Sequence, residues 1–550
     1  MTRYNWREEA HYTVTTAKAW LYVLLIATWL VPGLVGHDPW KPDEAETFGP
    51  VFHVLSGGNW VVPMLAGEPF LEAAPLYTLT AALFAKLFGS FLPAHDGARL
   101  ASAFYVVVAM VFLKLSARRL LGPTQGWMAV LVLIGCVGLL VRAHLIAADN
   151  AALAGFALAI YGFSLAPARP VAGGLLLGLG AGVTFLSKGV YPSTALVIAA
   201  LLLPIAFPAW RKPAYALTAA AGALALAPLV IVWPALLQQA SPELFDLWLR
   251  NEVVVPLSGI TWQTVISSLG IILEALIWGA WPALPIVLWT VWDGGRQSLS
   301  QPAVQVGVAT FGALFVLFLL TPHTQALDAL PMLLPLALMA AAGLPTLRRG
   351  TASAMDWFGI MTFALIASLI WLGWAYLVTG VPEFVGRRSY YFRSGGTLDF
   401  QWWRFLLAAA MTAGWIAFVW RVGRGNRRAV INWAAGITLT WMLAMTLWLP
   451  WMDRLKTYRP VALGLARHLP PQHGCVESRG LAEAPRAMLH YVAGIVTRRM
   501  EAETPPFCDY LLLQSERDMD PGPQWEKIWE ERRAIDKTER FQLFRRAGAG

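Results

Sequence analysis

The chain reads as an all-α polytopic membrane protein with a small α/β segment at its C-terminal end. Three observations carry that reading. Of its 550 residues 57% are hydrophobic and 14% charged, and the mean hydropathy is +0.54, outside the range of soluble domains. Apolar runs recur from residue 19 to residue 449, each approaching the roughly 20 residues a spanning helix needs. Beyond residue 452 the character changes: CVESRGLAEAPRAMLHYVAG followed by CDYLLLQ has the pattern strand, helix, strand.

About 13 spans are expected, at 19–36, 98–117, 124–142, 149–166, 171–187, 189–208, 213–236, 266–291, 303–320, 328–345, 355–379, 402–421 and 429–449. The first follows a polar start with Arg3, Arg7 and Lys18, but no small-residue cleavage pattern comes after it, so it is expected to be retained. The run 76–92 is ambiguous, and the distribution of Lys and Arg arbitrates. If it does not cross, Lys114, Arg118, Arg119, Arg169, Arg211, Lys212, Arg296, Arg348, Arg349, Arg421, Arg424, Arg427 and Arg428 all fall on the inner side. If it crosses, that bias is lost. The run 76–92 is therefore expected to lie at the outer interface, with the N-terminus inside and the C-terminal segment outside. The domain division is then a transmembrane module, 1–451, whose first outer loop spans 37–97, and an extracytoplasmic segment, 452–550. Further outer loops are 237–265 and 380–401.

The net charge of +9 is explained by these short basic loops rather than by a nucleic-acid partner. Cys136 lies in an apolar run, whereas Cys475 and Cys508 share the polar tail and can pair if it is extracytoplasmic.

Chemistry is concentrated on the outer side. HDPWKPDEAETFGPVFHVL places Asp43, Glu44 and Glu46 at the membrane surface just after the first span. Carboxylates so close to hydrocarbon are functional candidates, and Pro42-Asp43 equally suits a helix start with acids in its first turn. Asp149 in RAHLIAADN is either a site carboxylate or a cap. Lys188 in FLSKGVYPS can pair with an anion or snorkel. Arg142, Arg250, Arg387, Arg388 and Arg393 are further outer cations, suited to phosphate or to lipid headgroups. Glu72, Asp43 and His53 carry donor types competent for a divalent cation, although their spacing specifies none. His323, Gln325 and Asp328 cluster at an outer span junction, where they can line a site or simply end and begin helices. Glu274 is the one mid-span acid. No Walker loop, dinucleotide fingerprint, zinc-protease motif or nucleophile elbow is present.

A Pro-Asp-Glu motif after the first span, then GNWVVPMLAGEPFLEAAPLYTLTAALFAKLFG, a basic-ended span and an Asp before the next, resembles the aminoarabinose transferase and protein mannosyltransferase group of membrane GT-C glycosyltransferases. The likeness in motif order runs from about residue 17 to 345, and the outer tail is similar too. It implies a GT-C fold and inverting transfer of a sugar from a polyprenyl-phosphate carrier to a hydroxyl or phosphate of an envelope acceptor such as lipid A. The implied setting is a bacterial inner membrane and a monomer among membrane lipids; no cofactor is specified, and a divalent cation stays open. By resemblance Asp43, Glu44 and Asp149 are catalytic, with Asp43 the general base. Lys188, Arg142 and Arg250 are expected to bind phosphate, and Glu72, Tyr77, Glu252 and His323 are candidates for the sugar or acceptor site. The chain departs from the pattern at Glu46, where relatives often carry Arg, and at Glu72-Ala73-Ala74-Pro75-Leu76, where many read Lys-Pro-Pro-Leu. The competing classes are a lipid-linked substrate transporter or flippase, which should show mid-span ionisable groups or paired halves, and a non-catalytic relative of the family.

Overall fold

The computed structural model describes residues 15–547 except 73, 323–324, 424, 473, 501–506 and 534–538. The chain begins with α1 (Thr16–Leu30), α2 (Asp43–Leu55), α3 (Pro75–Phe88), α4 (Ala94–Leu121), α5 (Pro123–Gly135), α6 (Val137–Arg142), α7 (Ala148–Leu165), α8 (Pro170–Lys188), α9 (Val190–Ala206) and α10 (Pro213–Ala240). Later long helices include Trp262–Gly279, Ala283–Ser298, Pro302–Leu320, Arg349–Thr379, Trp402–Arg421 and Asn426–Leu443.

Among the described residues ten helical stretches are long and apolar enough to cross a membrane, and α1, α3, α5 and α9 are shorter apolar helices. The expected polytopic helical class is therefore observed: the 13 expected runs fall on these ten stretches and on α1, α5 and α9, and two of the runs are broken. The run 124–142 divides at Cys136 into α5 and α6, and 266–291 divides between Gly279 and Ala283, where Pro282 cannot donate a backbone hydrogen bond. The run 76–92 forms α3, whose 14 residues extend about 21 Å at 1.5 Å per residue, short of a roughly 30 Å hydrocarbon core.

Small residues set the packing that matters most for the site. A Cβ on Gly155 would meet the backbone oxygen of Gly180 at 2.6 Å, and one on Gly162 would meet that of Gly173 at 2.6 Å. Only glycine lets the antiparallel α7 and α8 approach this closely. Their close hairpin brings Asp149, at the start of α7, beside Lys188, at the end of α8. At the other end of the bundle, Arg119 Nε donates to the Ser164 carbonyl at 2.9 Å, so the basic end of α4 lies with the far end of α7.

The C-terminal segment forms a five-stranded sheet in the order Thr497–Arg499, Val476–Arg479, Tyr510–Ser515, Arg540–Arg546 and Trp525–Arg532. Its first two pairings are parallel and the other two antiparallel. Helix Glu483–Ala493 connects the strands Val476–Arg479 and Thr497–Arg499. Cys475 and Cys508 form a disulfide beside this sheet, with Cα atoms 5.3 Å apart.

This segment is tied directly to the first loop. Arg459 Nε and Thr457 Oγ1 each donate to Asp38 Oδ2 at 2.8 Å, and Lys41 pairs with Glu539 at 3.2 Å. Arg486, fully buried, pairs with Glu68 at 2.8 Å, and Tyr491 shares a 2.9 Å hydrogen bond with His95.

Candidate active site

Asp43 and Glu44 are the first two residues of α2, so the expected helix start is present. Successive helical residues point about 100° apart, and the two carboxylates meet different surroundings. Asp43 Oδ2 accepts from Arg142 Nη1 at 2.8 Å, and its side chain is 43% exposed. Arg142 reaches from the end of α6 and also donates from Nε to Asp149 Oδ2 at 2.8 Å. Asp149 Oδ1 pairs in turn with Lys188 Nζ at 3.0 Å. The result is a continuous line of alternating charge, Asp43, Arg142, Asp149 and Lys188, with Asp149 buried in the middle and the two ends open: Lys188 keeps 32% of its side-chain exposure.

Gly189 makes the turn from Lys188 into α9 at φ +80°, a left-handed conformation suited to glycine. A Cβ there would also collide with the Glu252 carboxylate. Glu252 accepts from the Val190 backbone N–H at 3.3 Å. Burial, only partly offset by that hydrogen bond and by Lys188, raises its carboxyl above the usual range.

Glu44 is closed off. Its Oε1 accepts from Arg99 Nε at 2.7 Å and from the Ile146 N–H at 3.0 Å, and its Oε2 from the Trp40 N–H at 2.9 Å. Both side chains of the pair are 0% exposed. Burial opposes ionisation, but the Arg99 charge, His37 and these hydrogen bonds outweigh it and hold the Glu44 carboxyl below its ordinary range. Arg99 also binds Asp96 at 2.6 Å and the carbonyls of Leu34 and His37 at 3.2 Å. Glu44, expected by resemblance to share the catalytic role of Asp43, holds the first loop to α4 and to the α6–α7 turn with these three accepted hydrogen bonds. Tyr77, expected as a sugar- or acceptor-site candidate, is likewise engaged by neighbouring protein groups. It is buried, shares a 2.7 Å hydrogen bond with Ser102, and accepts from the Ala147 N–H at 3.0 Å, which fixes the turn ahead of Asp149.

The two departures from the family pattern are electrostatic neighbours. Burial first, and then Glu72, Glu483 and Asp43, raise the Glu46 carboxyl to about 7, against the opposing pull of Arg142. Burial and Glu483 likewise raise Glu72. The acidic patch thus draws on α2, the loop before α3 and the C-terminal helix. The sequence reading did not include Glu483, because nothing in a linear sequence docks residue 483 against residue 46.

Among the remaining candidates, Asp328 lies within electrostatic reach of Lys188, Asp149 and Arg142. Arg250 is exposed on a π-helical turn, Arg250–Val254, whose Glu252 alone reaches the Lys188–Gly189 corner. Arg387 pairs with Glu383 on the surface at 3.1 Å. His323 lies outside the described residues, while Asp328 accepts from the Gln325 N–H at 2.8 Å as part of a capping box. Among the described residues Asp43, Glu72 and His53 do not assemble into a metal-ligand set. Glu274 is exposed on the outside of its helix.

Comparison with known proteins agrees with this architecture. Residues 72–233 match the family model of dolichyl-phosphate-mannose-protein mannosyltransferase. An undecaprenyl phosphate-alpha-4-amino-4-deoxy-L-arabinose arabinosyl transferase of Edwardsiella ictaluri (strain 93-146) is 30% identical over 201 residues, 35% of each chain. The match thus spans about a third of that relative's length. The crystal structure of ArnT from Cupriavidus metallidurans bound to undecaprenyl phosphate superposes with a TM-score of 0.69 at 17% identity, covering 96% of this chain and 98% of that one. The apo structure of the same protein gives 0.67 at 18% identity, with the same coverage. The fold is that of a GT-C membrane protein. The resemblance to the aminoarabinose transferase and protein mannosyltransferase group is borne out, by sequence over part of the chain and by fold over nearly all of it.

Proposed function

We propose that the protein is an inverting glycosyltransferase that moves a sugar from a polyprenyl-phosphate carrier to a hydroxyl or phosphate acceptor at the outer face of the membrane. The line Asp43–Arg142–Asp149–Lys188 carries this reading, since it joins an open carboxylate to an open ammonium through a buried, rigid centre. The transfer needs those two groups. As an acceptor hydroxyl attacks the anomeric carbon, Asp43 takes its proton. The bond from that carbon to the phosphate oxygen breaks, and its electron pair leaves on the polyprenyl phosphate.

Lys188, with ammonium donors beyond the one bonded to Asp149, meets the departing charge. Arg142 positions Asp43 and Asp149 together, and Asp149 orients both cations. Glu44 with Arg99 and Tyr77 with Ser102 are positioning residues that act through the loop and turn they hold. Support for the lipid-linked donor comes from the relatives: the names of the Edwardsiella protein and of the Cupriavidus structure each specify undecaprenyl phosphate.

Glu46 and Glu72, carboxylates where relatives often carry basic residues, favour a donor sugar or acceptor that carries an ammonium group, and the sugar named for the Edwardsiella relative carries an amine. The test is sugar release from a panel of labelled polyprenyl-phosphate donors, with and without an amine, by purified protein in detergent. Wild type should release the amine-bearing sugar, while Asp43→Asn and Lys188→Ala should not. Failure of wild type with every donor would refute the reading.

A further inference from the structure

At the end of the bundle opposite Asp43, a cavity of about 1250 Å³ opens between the start of α1, the start of helix Arg349–Thr379, the end of helix Trp402–Arg421 and the start of helix Asn426–Leu443. Its rim is cationic. Lys18, Arg348, Arg349, Arg421 and Arg427 line it, and among the described residues Asp293 is the one lining carboxylate. Arg428 also reaches the cavity, but its charge is committed to Asp356 at 2.9 Å. Arg349 and Arg421 are exposed, and among the described residues neither has an acidic partner. The inner wall is apolar, formed by Leu25, Phe418 and Ile431, and Leu21, 56% exposed, stands at the outer flank.

We infer that this cavity binds an anionic glycerophospholipid, phosphate against the arginine rim and acyl chains along the α1 wall. Three features select that occupant. Arg349 and Arg421, exposed and without an acidic partner among the described residues, call for negative charge, and Arg offers planar paired donors to phosphate oxygens. The volume exceeds the roughly 300–1,000 Å³ usual for a small-molecule pocket. An apolar wall continuous with the outer, apolar surface of α1 suits hydrocarbon rather than a free soluble anion. Basic pockets between transmembrane helices bind anionic headgroups by this combination. The inference is independent of the transferase reading, because none of these residues belongs to the Asp43–Lys188 line.

Native mass spectrometry tests it directly. Purified wild-type protein is equilibrated with an equimolar mixture of cardiolipin and phosphatidylcholine, and the retained adduct is identified. Retention of cardiolipin should exceed that of phosphatidylcholine by at least about tenfold, and millimolar inorganic phosphate should not displace it. Arg349→Gln/Arg421→Gln, checked for an unchanged unfolding midpoint in phosphatidylcholine micelles, should lose most of that preference. Equal retention of the two lipids, or full displacement by inorganic phosphate, would overturn the proposal. So would an undiminished preference in the double variant. For a double variant that fails to fold, the wild-type lipid comparison alone decides.

Discussion

Asp43 and Glu44 are adjacent in sequence and begin the same helix, yet one is 43% exposed beside Arg142 and the other fully buried on Arg99. Each is an arginine–carboxylate pair of near-ideal distance. What separates them is the number of additional donors: Glu44 also receives two backbone N–H groups, from Trp40 and Ile146, whereas Asp43 keeps an open side. An acid whose lone pairs are spent on backbone from two segments holds structure. One that keeps free lone pairs at a cleft can accept a proton.

Four changes would break or sharpen that contrast. The largest effect is expected at Asp43→Asn, which should lower turnover by roughly 10²–10⁴-fold, as for loss of a general base, while the thermal midpoint in detergent moves little. Glu44→Ala should do the reverse. It leaves buried Arg99 with Asp96 as its remaining carboxylate and strips the Trp40 and Ile146 N–H groups of their acceptor, a loss of about 3 kcal/mol, visible as a lowered unfolding midpoint. The paired replacement Glu44→Leu/Arg99→Met should recover part of it, and failure to recover any would count against the closed ion pair. Third, replacing both Cys475 and Cys508 by Ser should destabilise the C-terminal sheet by ~3 kcal/mol, the magnitude for a closed loop of this order. In wild type both thiols should resist alkylation until reduced.

The smallest effect is pH-dependent. The fold raises Glu46 from 4.5 to about 7, so it favours the protonated carboxyl. That contribution is complete below pH 4.5 and is lost as pH rises through 7. Glu46→Gln should therefore match wild type in acid and exceed it above pH 7 by about 2 kcal/mol, the two-and-a-half-unit shift discounted for partial exposure. A constant difference across that range would remove the Glu46–Glu72–Glu483 repulsion from the account.

Much of this was legible from the residues. Long apolar runs and the arginine-bearing ends identify the helical membrane class, and the strand–helix–strand pattern anticipates the C-terminal sheet because its periodicity is local. Asp43, Asp149 and Lys188 stand out as charges at the ends of apolar runs. The meeting of Asp149 with Lys188 depends on the close glycine packing of α7 on α8, and the joining of Asp43 to Asp149 on Arg142 from α6, neither of which a one-dimensional pattern shows.

Arg99 escaped notice, although an arginine near the start of an apolar run is itself a signal of a buried partner. The protein contacts of Glu44 and Tyr77 escaped notice for a related reason: which way a side chain faces is set by tertiary contacts, here with α4 and the α6–α7 turn. Likewise, Pro282 and the Cys136 junction break runs that hydropathy alone joins.

The most direct test of the central claim compares binding with turnover in Asp43→Asn, using radiolabelled undecaprenyl-phosphate-linked sugar. The account predicts that the variant retains the donor with near wild-type affinity, because Lys188 and Asp149 remain, yet transfers sugar roughly 10²–10⁴-fold more slowly. Transfer by Asp43→Asn at a rate near wild type would contradict it.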